Sequence, residues 1–328
     1  MCIALISTAH PSYSLIIIDN RDEYLNRPTS PPSWWHPPNT NVLSSRDLAR
    51  APHGTWMGVT KTGKLAVLTN YRETSTAKAS AAAQSRGVIV NSWLAAPPED
   101  NRDTKDFVQD VITGIAAKNV GGFSLVCGYV NEPLAIVSNR SANLEEVAWV
   151  ARERGVTLGL SNTSFGDRSW PKILDGEGLM KEAIEAHVAA GEGEDEDTLI
   201  ERFLGVLSTD TLPRLPGGSS TETYIPNLRK SIFIPAIGAE SKNERAADEF
   251  AAACVEDKVQ VDGASKDAAN PAYMQGAYGT QKQTVLLVRE NGRVRYFERT
   301  LYDNDVNAIP VGEGDRSFEF MVERERES

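Results

Sequence analysis

Two apolar, β-branched runs open the chain, Ile3 to Ser7 and Tyr13 to Asp19, with the turn-forming residues Ala9-His10-Pro11-Ser12 between them. The runs pair as an antiparallel hairpin closed around His10 and Pro11. That pairing sets the start of the first strand opposite Asp19 and Asn20, and it leaves Arg21 and Asp22 just beyond the amino terminus, beside Cys2. Cys2 directly follows Met1, and cysteine is small enough to permit removal of the initiator methionine. The processed chain then begins with a thiol and an amine on one residue. A nucleophile, an amine, a cation and a carboxylate converge within the first two dozen residues, and the rest of the chain is read as what completes that site.

Further hairpins follow. Thr55–Thr60 and Lys64–Thr69 flank Lys61-Thr62-Gly63, Phe123–Tyr129 and Pro133–Ser138 flank Asn131-Glu132, and Thr284–Arg289 and Val294–Thr300 flank Asn291-Gly292. Val147–Ala151, Val156–Leu160 and Ser231–Ile237 also read as strands. Helical spacing marks Arg86–Leu94, Asp103–Ala117, Trp170–Val188 (apolar at Ile173, Leu174, Leu179, Met180 and Ile184) and Thr198–Leu207. The proline-rich segment Asn26–Asn41 reads as a structured surface loop, because each proline removes a ladder donor. Thr74–Ser85 reads as an exposed loop, and Glu240–Ala277 as an insertion, with a helix over Glu244–Cys254. The charged tail Glu323–Ser328 frays. Hairpins with helices grouped between them predict an α+β fold with stacked antiparallel sheets, as one domain over residues 1–328 with an insertion at about 240–277.

Composition narrows the function classes. A net charge of −11 disfavours a nucleic-acid partner, since phosphate neutralisation needs clustered Lys and Arg. No apolar run has the length of a membrane span, and neither a secretory signal nor a basic amphipathic anchor is evident, so no direct membrane insertion is expected. Three cysteines, Cys2, Cys127 and Cys254, show neither a disulfide nor a metal spacing, which points to a reducing, cytoplasmic setting and to no metal site.

The candidate chemistry rests on few residues. A thiol near its ordinary pKa is mostly protonated at neutral pH. Arg21 favours the thiolate, the Cys2 amine can take its proton, and Asp22 can hold that amine. Asn70 and Asn162 each end an apolar strand, where an amide can donate to a developing oxyanion. Each residue also has a purely structural reading: Cys2 as part of an edge strand, Arg21 and Asp22 as a solvated turn, the asparagines as turn chemistry. Trp34 and Trp35 either wall a ligand pocket or anchor their loop, and Trp56 and Tyr71 join them as candidate substrate-binding aromatics.

Met1-Cys2-Ile3, Asn20-Arg21-Asp22-Glu23, Gly54-Thr55-Trp56-Met57-Gly58 followed by Lys64 to Tyr71, Gly159-Leu160-Ser161-Asn162 and Tyr278-Gly279-Thr280 occur in one order along nearly the whole chain. This pattern resembles the NRDE family, that of transport and Golgi organisation protein 2. That family in turn looks like the N-terminal-nucleophile (Ntn) hydrolases, in the branch of penicillin V acylases and conjugated bile acid hydrolases. The resemblance implies an αββα four-layer sandwich, Cys2 as nucleophile flanked by Arg21 and Asp22, Asn70 in the oxyanion hole and Asn162 as a second positioning amide. It implies an amidohydrolase or thioesterase acting on a small-molecule amide or acyl thioester. It also admits a non-enzymatic role in binding and trafficking haem or acyl-CoA, with no cofactor required, haem as a possible ligand, and a mitochondrial or Golgi association. A haem would draw on Cys2, His36, His53 or Met57. Two departures stand out. Gln281 and Lys282 follow Thr280 where the family often has Arg, leaving Lys282 or Arg229 to substitute, and His53 stands where a glycine is usual.

Overall fold

The structure, a computed structural model, describes residues 1–71, 85–97, 100, 102–114, 120–191, 195–216, 219–238, 273 and 275–323. The opening hairpin forms as expected, with β1 (Ile3–Ser7) antiparallel to β2 (Leu15–Tyr24) and Ile3 opposite Asn20. β2 does not stop at Asp19. It continues through Asn20-Arg21-Asp22-Glu23, because a third strand pairs with its other edge from Tyr24 to Leu15. The polar run is therefore mid-sheet backbone, and its side chains alternate between two buried faces.

β1 and β2 lie in a six-stranded sheet of order β10-β1-β2-β11-β12-β13, completed by β10 (Thr157–Ser161), β11 (Tyr278–Val288), β12 (Arg293–Thr300) and β13 (Asp315–Met321). The other sheet is a seven-stranded meander in chain order. It comprises β3 (Ser33–Trp34), β4 (Val42–Ser44), β5 (Met57–Thr60), β6 (Lys64–Asn70), β7 (Phe123–Tyr129), β8 (Leu134–Ser138) and β9 (Ala148–Val150). Strand alternation sorts the side chains into layers. Ala4, Ile6, Leu15 and Ile17 meet Leu65, Val67 and Val126 between the sheets. Ile3, Leu5, Ile16 and Ile18 face helices α3 (Pro171–Ala190) and α4 (Glu196–Leu207) through Met180, Ile184 and Phe203. On the far side, Leu68, Leu125 and Cys127 face α1 (Gly87–Leu94) and α2 (Thr104–Thr113) through Val90, Trp93 and Phe107. The molecule is thus an α+β protein with an αββα layer order.

Several expectations change. Ser231–Ile237 is not a strand: it runs beside the start of β11 with one isolated bridge, Ile237 to Tyr278. β3 forms inside the proline-rich segment, at a sheet edge where missing donors cost nothing. β13 was not anticipated, since its alternation is half-exposed and polar. In α3, Leu174 is exposed while Lys172 is fully buried, so the inward stripe is shifted from the one that hydrophobicity alone selects. His53 adopts φ of 55°, the left-handed region open to glycine, which gives a physical reason for a glycine at that position. The expected loop 74–85 (but for Ser85), the end of the second helix, the insertion with Cys254 (but for residues 273 and 275–277), and all of the tail except Glu323 lie outside the described residues.

Candidate active site

The site is built by register. With Ile3 opposite Asn20 on one side and Ser161 on the other, one step outward sets Cys2 between Arg21 and Asn162. The Ser161 hydroxyl donates to the Cys2 carbonyl at 2.7 Å, and the Thr69 hydroxyl donates to the Ser161 carbonyl at 3.0 Å. This chain of contacts draws the end of β6, and with it Asn70, to the same corner. Cys2, Arg21, Asp22, Asn70 and Asn162 are therefore assembled from three strands of one sheet and one of the other.

Asp22 is the best-fixed group. One carboxylate oxygen accepts from the Thr280 hydroxyl at 2.7 Å. The other accepts no hydrogen bond among the described residues and faces two cations, the Met1 ammonium at 3.4 Å and Lys172 Nζ at 4.0 Å. The Met1 ammonium also donates to the Tyr278 hydroxyl, which itself donates to the Asp22 carbonyl at 3.0 Å. Lys172 Nζ donates to the Met1 carbonyl. Burial lowers both cations below their ordinary pKa, and the Asp22 carboxylate opposes that shift.

The Cys2 thiol is buried and lies 3.7 Å from the Asp22 carbonyl. Burial pushes it up to about 11; the Met1 ammonium pulls it down, while Asp22 and Asp19 add to the rise. The cation favouring the thiolate is thus the terminal ammonium. Arg21 is engaged elsewhere: its guanidinium donates to Gln281 and to Asp47 at 3.1 Å, and stacks over the Trp56 ring at 4.6 Å. Asp19 is buried with neither carboxylate oxygen hydrogen-bonded among the described residues, and burial beside Asp22 and Glu298 drives it well above the usual carboxylate range.

Asn162 is buried, and its side-chain oxygen has no donor among the described residues, so it can accept from an amine on Cys2. The aromatic candidates divide. Trp56 reaches the site through Arg21. Tyr71 follows Asn70 and carries the Arg140 guanidinium at 3.8 Å. Trp34 packs on Phe320 and Lys61, at the opposite end of β5 and β6 from Asn70. Trp35 is buried in the outer helical core, its indole N–H donating to Ser44. Met57 is buried between the sheets, whereas His36 and His53 are exposed.

The late departures resolve locally. Gln281 sits in a bulge of β11, where it accepts from Arg21 and donates to the Leu25 and Arg27 carbonyls. Lys282 points between the sheets and is paired with Glu298 at 2.8 Å. Arg229 lies half-buried near Asp167. The cation at the Cys2 corner is Lys172, which sequence reading missed, along with Tyr278 and Thr280. Tyr278-Gly279-Thr280 was visible as a motif, but its contact with Asp22 follows only from β11 lying beside β2.

Comparison with known proteins gives a match to the family described as Transport and Golgi organisation 2 over residues 1–303. The mouse Transport and Golgi organization 2 homolog is 27% identical over 299 residues, covering 90% of each chain. The bovine homolog is 29% identical over 297 residues, covering 90% of this chain and 89% of its own. Among solved structures, a variant of conjugated bile acid hydrolase from Clostridium perfringens is similar over 98% of each chain, with 10% identity and a TM-score of 0.44.

Proposed function

The chain belongs to the Transport and Golgi organisation 2 family, and from that premise we propose that it is an N-terminal-nucleophile acyl hydrolase, acting through Cys2 on a small-molecule amide or acyl thioester. One observation carries the reading: the strand register brings Cys2 beside Asp22 and Asn162, whose Oδ2 and Oδ1 atoms accept no hydrogen bond among the described residues, at the amino terminus, where removal of Met1 places an amine on Cys2 itself.

In the processed chain the Cys2 amine takes the thiol proton, and Asp22 and Asn162 accept hydrogen bonds from the resulting ammonium. In the unprocessed chain burial lowers the Met1 ammonium while Asp22 opposes the shift, and an amine on Cys2 beside the same carboxylate is the base this reading needs. Sγ then bonds to the substrate carbonyl carbon, and the Asn70 amide stabilises the oxyanion. Collapse breaks the C–N or C–S bond, and the leaving amine or thiol departs with the proton from the Cys2 ammonium. Water bonds to the thioester carbon and gives a proton to the amine, the C–Sγ bond breaks to release the acid, and the Cys2 ammonium returns that proton to Sγ. Arg21, held by Asp47 and Gln281, positions Trp56 by stacking on its ring.

Intact-protein mass before and after an activated thioester probe tests this. The expected result is loss of Met1 and one acyl adduct, abolished in Cys2→Ala and slowed about 10²–10³-fold in Asn70→Ala. A retained Met1, or an adduct that survives Cys2→Ala, overturns it. The carrier alternative, haem or acyl-CoA trafficking without turnover, predicts instead a Soret shift or saturable acyl-CoA binding that persists in Cys2→Ala.

A further inference from the structure

Met1 is held at every part of its structure. Its ammonium meets Tyr278 and Asp22, and its carbonyl accepts from Lys172. Its side chain packs against the cluster of Leu212, Tyr224, Leu228, Ile234 and Ile237. A methionyl residue bonded to the Cys2 nitrogen is itself an acyl group. An acyl group on Cys2 Sγ is a near neighbour of it: nitrogen and sulfur are joined through Cα and Cβ, so one acyl carbon shared between them would close a five-membered ring.

We propose, resting on the acyl-hydrolase reading, that the space filled by Met1 becomes the acyl subsite of the processed chain. It takes an unbranched apolar acyl group of about methionyl length, hexanoyl being the close isostere, and Lys172 donates to the acyl carbonyl. Lys172 requires such an occupant. It is fully buried, its hydrogen bond among the described residues goes to the Met1 carbonyl, and its nearest carboxylate oxygen is at 4.0 Å. When Met1 leaves, that ammonium loses its acceptor, and a buried cation without one is costly. A substrate carbonyl restores the bond, and the bond strengthens as the oxygen gains charge. The side-chain path is lined by the apolar cluster, and the polar groups gather at the carbonyl (Lys172) and at the amine (Asp22 and Tyr278). Asp22 is taken by the Cys2 ammonium of the processed chain, so the path itself suits an unbranched apolar acyl chain.

The test uses the processed protein and a series of N-acetylcysteamine thioesters bearing acetyl, butanoyl, hexanoyl, 2-ethylbutanoyl and benzoyl groups. Cys2 acylation is followed by intact mass. Hexanoyl is expected to acylate at least tenfold faster than the branched and aromatic members. Ile225→Trp, at the half-buried rim of the cluster, is expected to lower the hexanoyl-to-acetyl ratio at least tenfold. Lys172→Met is expected to slow acylation by every thioester at least tenfold relative to Cys2 labelling by methyl methanethiosulfonate, which offers no carbonyl. Acylation with no dependence on chain shape, or a Lys172→Met variant whose acylation and thiosulfonate labelling change in parallel, overturns the subsite while leaving Cys2 acylation intact. No acylation by any member overturns the hydrolase reading and the subsite together.

Discussion

At Cys2, burial acts on two groups in opposite senses: it raises the thiol and lowers the amine, so each favours its neutral form. A chain kept unprocessed with a methionine aminopeptidase inhibitor should therefore hold a thiol near 11 and little thiolate at pH 7.5, a fraction on the order of 10⁻³–10⁻⁴. Its alkylation rate should rise about tenfold per pH unit through pH 9 without a plateau. In the processed chain the ammonium sits on the same residue as the thiol, closer than in Met1-Cys2, so the break in the profile should move to lower pH. Rates against pH for the two forms check this, and coincident profiles contradict it. The placement of Cys2 beside Arg21 and Asp22 was legible because a hairpin's register follows from strand length and turn. Lys172 was not legible. It is a charged residue one step inside a helix, and its burial is dictated by Met1 and Asp22, far away in sequence.

Among the elements, the segment before β5 and the start of α1 approach backbone to backbone. A methyl group on Gly54 would lie 2.7 Å from the Gly87 Cα, and one on Gly87 would lie 2.8 Å from the Gly54 Cα. Both obstacles are backbone, so neither can rotate away. Gly54→Ala should lower unfolding stability by about 1–3 kcal/mol, read as a fall in the urea midpoint at unchanged slope. An unchanged midpoint would show that α1 can shift without loss. Two residues on from this close approach, Trp56 carries the Arg21 guanidinium. Helices and hairpins were legible from periodicity and turn residues, whereas the two-residue β3 and the polar β13 carry too little pattern to be read locally.

For the molecule as a whole, the two-sheet, two-helix-layer plan followed from hairpins and amphipathic helices. The insertion of β11 between β2 and β12 did not, because it joins residues more than two hundred positions apart. A second long-range tie gives the fold its own pH dependence. At the tip of the opening hairpin, His10 Nε2 and His187 Nδ1 lie 3.1 Å apart. The Ser12 N–H donates to His10 Nδ1, and the Asp195 carbonyl, which can only accept, faces His187 Nε2. Those backbone partners leave one proton between the rings, on His10 Nε2, and a proton added at His10 Nδ1 would oppose the Ser12 N–H. Burial, with His187, Arg154 and Arg289 nearby, accordingly lowers His10 to about 4. The sign follows from linkage. Above the unfolded value near 6.5 neither state binds this proton; between 6.5 and 4 the unfolded chain binds it and the folded chain does not, so stability falls with pH across that window, by up to about 3 kcal/mol. His10→Asn keeps an acceptor for Ser12 but cannot titrate. It should be less stable than the natural chain at pH 7 yet lose less between pH 6.5 and 4.5, so thermal midpoints of the two should converge as the pH drops. Parallel curves across that window would mean that acid weakens the fold elsewhere, through the carboxylates, and that the histidine pair only holds the hairpin to the helices.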